Sequence, residues 1–92
     1  MCFSGLDPTG GAGIQADIET LFSIGCHGAP VVTALTAQNT QNAITSLPTE
    51  PSLLIQQARA ILEDIPISCF KIGLPSSIDC VEVMHTLLEA YP

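Results

Sequence analysis

The chain has 92 residues, which is enough for one small domain with a single core and no second lobe. Its formal net charge is −7, and its two basic residues are Arg59 and Lys71. Nucleic-acid binding needs a basic surface, and an anionic membrane would repel this chain, so neither partner is expected. No apolar run reaches the roughly 18 residues of a membrane span, and we expect a cytoplasmic protein.

The first predicted elements are a short strand and a helix joined by a glycine-rich turn. Residues 2–4 resemble the end of a strand, and residues 14–24 are predicted as a helix that Gly25 ends. Apolar residues recur at the helical period and predict one buried face. Its members are Ile14, Ile18, Leu21 and Phe22.

The middle of the chain predicts a strand, a loop and a helix. Residues 30–37 are rich in β-branched residues without alternation, which is typical of a parallel strand covered on both faces. The amide-rich residues 38–42 are predicted as loop. A second helix is expected to begin near Pro51 and to end before Pro66. Its predicted buried residues are Leu54, Ala58, Ile61 and Leu62.

The last third predicts one more strand and one more helix. The strand is expected at residues 68–73, and Ser76 with Asp79 matches a capping box that opens the helix. The residues predicted to face inward are Val81, Met84, Leu88 and Tyr91, with His85 on the same face. The order β-α-β-α-β-α predicts an α/β fold with a small parallel sheet. Its two open edges favour a piece of a larger domain.

The four cysteines give no metal-binding pattern. Cys2, Cys26, Cys69 and Cys80 form no C-x-x-C pair, and His27 lacks a second cluster that would complete a zinc site. We expect reduced, mostly buried thiols and no bound metal.

The segment from the first strand into the first helix, residues 4–17, carries the main functional signal. Its glycines expose backbone N–H groups, and Asp17 lies on the apolar side of the helix. A buried carboxylate needs a hydrogen-bond partner, either Thr9 and the loop N–H groups or a ligand. Gln38 follows the second strand at the same sheet edge, and its amide both donates and accepts. We expect Asp17 and Gln38 to converge on one cavity.

Other interpretations of these residues stay open. Residues 11–16 match the loose dinucleotide pattern G-x-G-x-x-G/A, but no acidic residue ends the second strand to bind a ribose. The P-loop is excluded, because no G-K-[ST] follows the glycines. A tight turn that needs positive φ is the purely structural explanation. Lys71, inside an apolar strand, is interpreted as snorkelling, as pairing with an acid or as contacting a ligand.

Three blocks of the sequence together resemble one enzyme family. They are S-G-L-D-P-T-G-G-A-G-I-Q-A-D-I-E-T, V-T-A-L-T-A-Q-N-T and K-I-G. In this order they resemble hydroxymethylpyrimidine/phosphomethylpyrimidine kinase, a family of thiamine biosynthesis with a ribokinase-like fold. The resemblance covers nearly the whole chain and implies that residues 1–92 are an incomplete ribokinase-like kinase domain, the pyrimidine-binding N-terminal portion.

The resemblance implies an enzyme that uses ATP and Mg²⁺. It would phosphorylate the hydroxymethyl group of 4-amino-5-hydroxymethyl-2-methylpyrimidine and then add a second phosphate. The implied pyrimidine pocket consists of Gly5, Ala12, Asp17, Thr36 and Gln38, with Leu74 as an apolar wall. Residues 74–76 read L-P-S, where the family commonly has M-L-G after K-I-G, so this wall departs from the pattern.

The family's later half has no counterpart in these 92 residues. The resemblance implies that this half holds the nucleotide site and a catalytic cysteine in a G-x-G-C turn, so neither a catalytic residue nor an ATP or Mg²⁺ site is assigned here. The 92 residues alone are expected to be inactive. A non-catalytic short paralogue or interaction module is one alternative, binding a pyrimidine or no ligand, and a dinucleotide-binding module is another. Homo-oligomer formation through a sheet edge stays open.

Overall fold

The computed structural model describes residues 1–91, and Pro92, the last residue of the predicted domain, lies outside the described residues. The elements are β1 (Cys2–Leu6), α1 (Gly13–Ser23), β2 (Pro30–Gln38), β3 (Ala43–Pro48), α2 (Pro51–Leu62), β4 (Lys71–Ile72) and α3 (Ile78–Ala90). The strands form one sheet in the order β3-β2-β1-β4. The predicted α/β class is therefore confirmed.

The three predicted strands form a parallel centre for this sheet. β1 pairs in parallel with β2 on one side and with β4 on the other. Parallel pairing brings the carboxyl ends of all three strands to the same edge, which is where open α/β sheets bind ligands. β4 is shorter than the predicted strand 68–73, because only Lys71 and Ile72 find partners on β1.

The predicted order lacks one strand, β3, which pairs antiparallel to β2 and makes the sheet mixed. Residues 38–42, predicted as loop, contain the end of β2 and the turn of this hairpin. The Asn39 side chain accepts hydrogen bonds from the N–H groups of Gln41 and Asn42. An asparagine that holds a turn in this way is a recognised hairpin signal, and Ala43–Pro48 contains β-branched residues.

The two faces of the sheet are covered differently. Successive side chains of a strand point to opposite faces. Phe3 and Val31 pack with Leu54 of α2 and Leu87 of α3 in one apolar cluster. The next residue of β1, Ser4, instead contacts α1 by a hydrogen bond. The core therefore lies between the sheet and the α2–α3 pair.

The predicted buried face is confirmed for α2 but only in part for α1. Leu54 and Ala58 are fully buried, and Ile61 and Leu62 of the same helix pack on the core. In α1, Ile14 is buried and Leu21 is half-buried, whereas Ile18 and Phe22 are exposed, Phe22 at 81%. Periodicity alone cannot show how much of a helix face a neighbouring layer covers.

The predicted start and face of α3 are wrong in detail. The N-cap is Ser77, whose side chain accepts a hydrogen bond from the Cys80 N–H, rather than Ser76. Val81 is exposed, and His85 lies outside the core in an ion-pair contact with Glu89. Met84 is buried as predicted, and Leu88 and Tyr91 are half-buried. The residues that face the core are Cys80, Val83, Met84 and Leu87. Apolar residues surround this helix, so several faces satisfy the same period.

The four cysteines differ in their exposure to solvent. All four cysteines are free, with Cys2 and Cys80 buried and Cys26 and Cys69 exposed, so the expectation of mostly buried thiols holds for half of them. Burial raises the pKa of the Cys2 thiol.

Among residues 1–91, no helix has both the length and the apolar character that crossing a membrane requires.

Candidate functional site

A cavity of about 380 Å³ lies at the carboxyl edge of β1 and β2. Its walls come from these strands, from the turn before α1 and from the segment 73–76 that follows β4. Five of the six predicted site residues line it; they are Gly5, Ala12, Thr36, Gln38 and Leu74. Residues far apart in the sequence therefore meet around one space, because three parallel strands end at the same edge.

The turn between β1 and α1 is held by the Asp7 carboxylate. This group accepts hydrogen bonds from the Thr9 N–H at 2.9 Å, the Thr9 hydroxyl at 2.8 Å and the Ala12 N–H at 3.1 Å. The bond from the Thr9 N–H contributes most to lowering the pKa of Asp7. Gly13 has φ of +72°, and a side chain there would collide with the Gly5 carbonyl oxygen. The structural explanation of the turn, a need for positive φ, is confirmed.

The same turn is a poor fit for a phosphate group. The Asp7 carboxylate already occupies the N–H groups of Thr9 and Ala12, and it places negative charge where the phosphate would lie. This disfavours both the dinucleotide alternative and a nucleotide phosphate at this position. The residues of this turn therefore do not fit a nucleotide phosphate. Within residues 1–91, no group of three or more His, Cys, Asp and Glu side chains is placed to hold a metal ion.

Gln38 is held at the cavity by a relay of two hydrogen bonds. Its Nε2 donates to the Thr36 hydroxyl at 2.6 Å, and that hydroxyl donates to the Leu6 carbonyl oxygen at 2.5 Å. The relay joins the end of β2 to the end of β1 and orients the amide. Within the described residues, the Gln38 Oε1 accepts no hydrogen bond, so it is open to a ligand donor.

Asp17 lies behind the cavity wall rather than on it. Its Oδ2 accepts from the Ser4 hydroxyl at 2.6 Å, and its Oδ1 accepts from the Lys71 ammonium at 2.9 Å. The expected partners of Asp17, which are Thr9 and the loop N–H groups, donate hydrogen bonds to Asp7 instead. Burial by itself would raise the pKa of Asp17, but the bonds from Lys71 and Ser4 outweigh it and leave this pKa lowered. Asp17 therefore reaches the cavity through Ser4 and Lys71, which both line it.

Lys71 connects β4, α1 and the cavity. Its side chain is 51% exposed, whereas that of Asp17 is 13% exposed. The interpretation that this lysine pairs with an acid is confirmed. Its position follows from register, since Lys71 pairs with Cys2 on β1 and projects to the same face as Ser4.

The segment after β4 is drawn tightly against β1. The Gly73 N–H donates to the Phe3 carbonyl oxygen at 2.7 Å, and a Cβ at position 73 would lie 2.6 Å from the Ser4 Oγ. A side chain at position 73 would have to displace the Ser4 hydroxyl. The approach places the exposed side chain of Leu74 at the cavity, where the resemblance implies an apolar wall.

Ser4, Thr33 and Ser76 are cavity residues that the sequence analysis did not single out. The Ser76 hydroxyl donates to the Thr33 carbonyl oxygen at 2.8 Å and thereby fastens the segment 73–76 to β2. The Thr33 side chain is buried, and its Oγ1 has no hydrogen-bond partner among residues 1–91. A hydroxyl inside an apolar strand is the signal that the sequence offers for Ser4 and Thr33, whereas the sequence around Ser76 predicts a helix cap.

The comparison with known proteins decides the family. The sequence model of the family described as phosphomethylpyrimidine kinase matches residues 7–92. The chain belongs to this family. The hydroxymethylpyrimidine/phosphomethylpyrimidine kinase of Escherichia coli is 38% identical over 91 residues, which are 99% of this chain and 34% of that protein. Membership of a kinase family implies the use of ATP.

Solved structures confirm the ribokinase-like fold. The phosphomethylpyrimidine kinase of Clostridium difficile superposes with a TM-score of 0.94 at 39% identity, over 98% of this chain and 39% of that one. Bacillus subtilis pyridoxal kinase, solved as an ADP complex, superposes with a TM-score of 0.88 at 25% identity, over 97% of this chain and 35% of that one. The chain spans about a third of the length of the curated relatives it matches, in agreement with the N-terminal portion that the resemblance implies.

Proposed function

We propose that the chain is the pyrimidine-binding portion of a kinase that phosphorylates hydroxymethylpyrimidine and its monophosphate in thiamine biosynthesis. Residues 1–92 are then part of one ribokinase-like kinase domain. The observation that supports this most strongly is the meeting of five predicted residues, from β1, the turn, β2 and the segment after β4, around one cavity. A volume of about 380 Å³ is in the range of small-molecule sites.

Gln38 is the residue with the donor and acceptor pattern that an aminopyrimidine needs. The exocyclic amino group of such a ring donates, and the adjacent ring nitrogen accepts. The Gln38 Oε1 is open, and its Nε2 keeps one N–H beyond the bond to Thr36. A side-chain amide held by the Thr36–Leu6 relay can therefore bind both groups at once, with its orientation set before the ligand arrives.

The remaining predicted residues give the cavity its shape and polarity. Gly5 and Ala12 carry little or no side chain, so a planar ring can lie against the backbone, and Leu74 adds apolar surface. Asp17 acts indirectly in this proposal, by holding Ser4 and Lys71 at the wall. A direct contact between Asp17 and the pyrimidine stays a prediction, and both of its oxygens already have partners.

The proposal assigns binding, and not phosphoryl transfer, to these residues. Phosphoryl transfer depends on positioning and on charge stabilisation around the nucleotide. Within residues 1–91, no group of three or more His, Cys, Asp and Glu side chains is placed to hold a metal ion. We expect the 92-residue chain to bind the pyrimidine and to form no phosphorylated product with ATP. A cytoplasmic location belongs to the same proposal.

Isothermal titration of the 92-residue chain with 4-amino-5-hydroxymethyl-2-methylpyrimidine tests this function. Saturable heat is expected for the wild type. Gln38→Ala is expected to weaken binding about tenfold or more, because a hydrogen-bond pair to the ring is lost. Gln41→Ala is the matched control, since this amide lies in the same hairpin but outside the cavity, and its affinity should stay within about twofold of the wild type.

Three outcomes would contradict the proposal. No saturable heat with the wild-type chain would favour the interaction module that binds no ligand. Equal loss of affinity in both glutamine variants would show that the Gln38 amide makes no specific hydrogen bonds to the pyrimidine ring. Formation of phosphorylated pyrimidine from ATP by the pure chain would refute the assignment of binding alone.

A further inference from the structure

One positively charged side chain, that of Lys71, borders the cavity in the part of the chain that the structure describes. The chain's other basic residue, Arg59, lies in the last turn of α2 and outside the cavity. We propose that Lys71 sets the preference of this site for the phosphorylated pyrimidine over the unphosphorylated alcohol. This inference rests on the proposed function and names the residue that distinguishes its two substrates.

The hydrogen bonds of Lys71 leave it able to bind a ligand. An ammonium group has three donors. One is directed at the Asp17 Oδ1 at 2.9 Å, and the Ser4 Oγ lies at 3.5 Å, which is the long limit of a hydrogen bond. The side chain is 51% exposed, so the group is neither enclosed nor fully used. A phosphate oxygen at the cavity can accept a hydrogen bond from the remaining N–H of Lys71.

The negative charge of the molecule means that a nearby cation favours a phosphorylated ligand in particular. A net charge of −7 repels an anion at long range. Asp7, also at the cavity, adds a carboxylate, although loop N–H groups hold it. The neutral alcohol experiences neither repulsion. A fixed ammonium thus affects the two ligands unequally, whereas Gln38 and the apolar walls contact the ring that both ligands share.

Asp17 has two opposite effects on the Lys71 ammonium. Its carboxylate holds the ammonium at 2.9 Å, but it also cancels part of the positive field that a phosphate would meet. Removing the carboxylate charge therefore strengthens the preference for phosphate, whereas removing the ammonium weakens it. A purely structural ion pair has no reason to shift the ratio of the two affinities in opposite directions.

The test measures the dissociation constants of the alcohol and of its monophosphate by titration of the full 92-residue chain. Lys71→Met is expected to weaken monophosphate binding about tenfold or more and alcohol binding less than about threefold. Asp17→Asn should shift the ratio of the two constants toward the monophosphate, and Lys71→Arg should keep the wild-type preference. Arg59→Met is the matched control, because it removes the same charge outside the cavity and should leave the ratio unchanged.

Salt dependence provides a second readout. Salt screens both the attraction of the monophosphate to the partly exposed ammonium and its repulsion by the net charge of −7, so the contribution of Lys71 is measured as a difference between two proteins. The advantage of the wild type over Lys71→Met in monophosphate binding should shrink as the salt concentration rises, whereas alcohol binding should stay nearly constant in both. Equal losses for both ligands in Lys71→Met, or an advantage in monophosphate binding that does not change with salt, would overturn this inference while alcohol binding still supported the proposed function. A wild-type chain that binds neither ligand would overturn the proposed function itself.

Discussion

The two faces of the central strand serve different purposes. On one face Phe3, with Val31 of the neighbouring strand, packs against Leu54 and Leu87, and these side chains are essentially inaccessible to solvent. On the other face Ser4 joins a polar network with α1 and β4 at the wall of the cavity. Adjacent residues of one strand thus belong to a closed apolar core and to an open polar site.

The difference shows where the stability of the fold resides. Burying a large apolar side chain contributes about 1.5–3 kcal/mol. A hydrogen bond contributes about 0.5–1.5 kcal/mol net, and a partly buried ion pair loses much of its attraction to desolvation. The α2–α3 face therefore supplies most of the stability, and the polar network on the α1 face contributes less.

The largest expected effect tests the apolar face. Leu54 is 0% exposed, and Leu54→Ala should lower the free energy of unfolding by about 2–5 kcal/mol, because the core cannot collapse fully around the missing atoms. Urea denaturation measures this loss. Leu53→Ala is the control, because Leu53 is in the same helix and 50% exposed, and it should cost far less. Equal losses would mean that α2 is not anchored through this face.

The intermediate effect tests the polar face. Asp17→Asn should cost about 1–2 kcal/mol at pH 7, because the charged bonds from Lys71 and Ser4 are weakened. Glu19→Gln removes the same charge from an exposed position of α1 and should cost less than about 0.5 kcal/mol.

The pH dependence of Asp17→Asn sharpens the same test. The pKa of Asp17 is lowered in the folded state, so its contribution is complete above the ordinary pKa of about 4 and is lost as the pH falls through the folded value. Between about pH 5 and pH 2, the free energy of unfolding should therefore depend less steeply on pH in Asp17→Asn than in the wild type. Asp7, whose pKa is also lowered, keeps part of the slope. An unchanged slope in the variant would exclude this role for Asp17.

The smallest expected effect is at the N-cap of α3, one of the two helices that cover the apolar face of the sheet. Ser77→Ala removes the hydrogen bond from the Cys80 N–H at the start of α3 and should cost about 1 kcal/mol. Thermal unfolding with Ser77→Thr as the conservative variant measures the cap, since threonine can accept the same bond. A loss in Ser77→Thr as large as in Ser77→Ala would point to packing instead of capping.

Much of the fold could be predicted because local signals agreed with it. The period of α2 placed Leu54 and Ala58 in the core, and the β-branched run placed β2. β3 was missed because residues 38–43 contain no Asn-Gly or Asp-Gly pair, which is the strongest short-range signal of a hairpin. The face of α3 was misjudged because apolar residues surround this helix, and only its neighbours decide which ones are covered.

Part of the cavity lining could be predicted, but the hydrogen bonds between its residues could not. The ends of two predicted parallel strands indicated that Gly5 and Gln38 lie at one edge, and the family resemblance implied Thr36. No pattern along the chain links Asp17 to Lys71, which lies 54 positions away, or shows that Ser4 lies between them.

Sequence alone determined the order of most elements, the glycine that the turn before α1 requires and the family to which the chain belongs, because each depends on residues close together or on motifs read in order. The tertiary structure decided the antiparallel partner of β2, the covered face of α3 and the pairing of Asp17 with Lys71. These depend on the register of β4 against β1 and on which layers meet. Contacts of that kind arise only when distant segments pack.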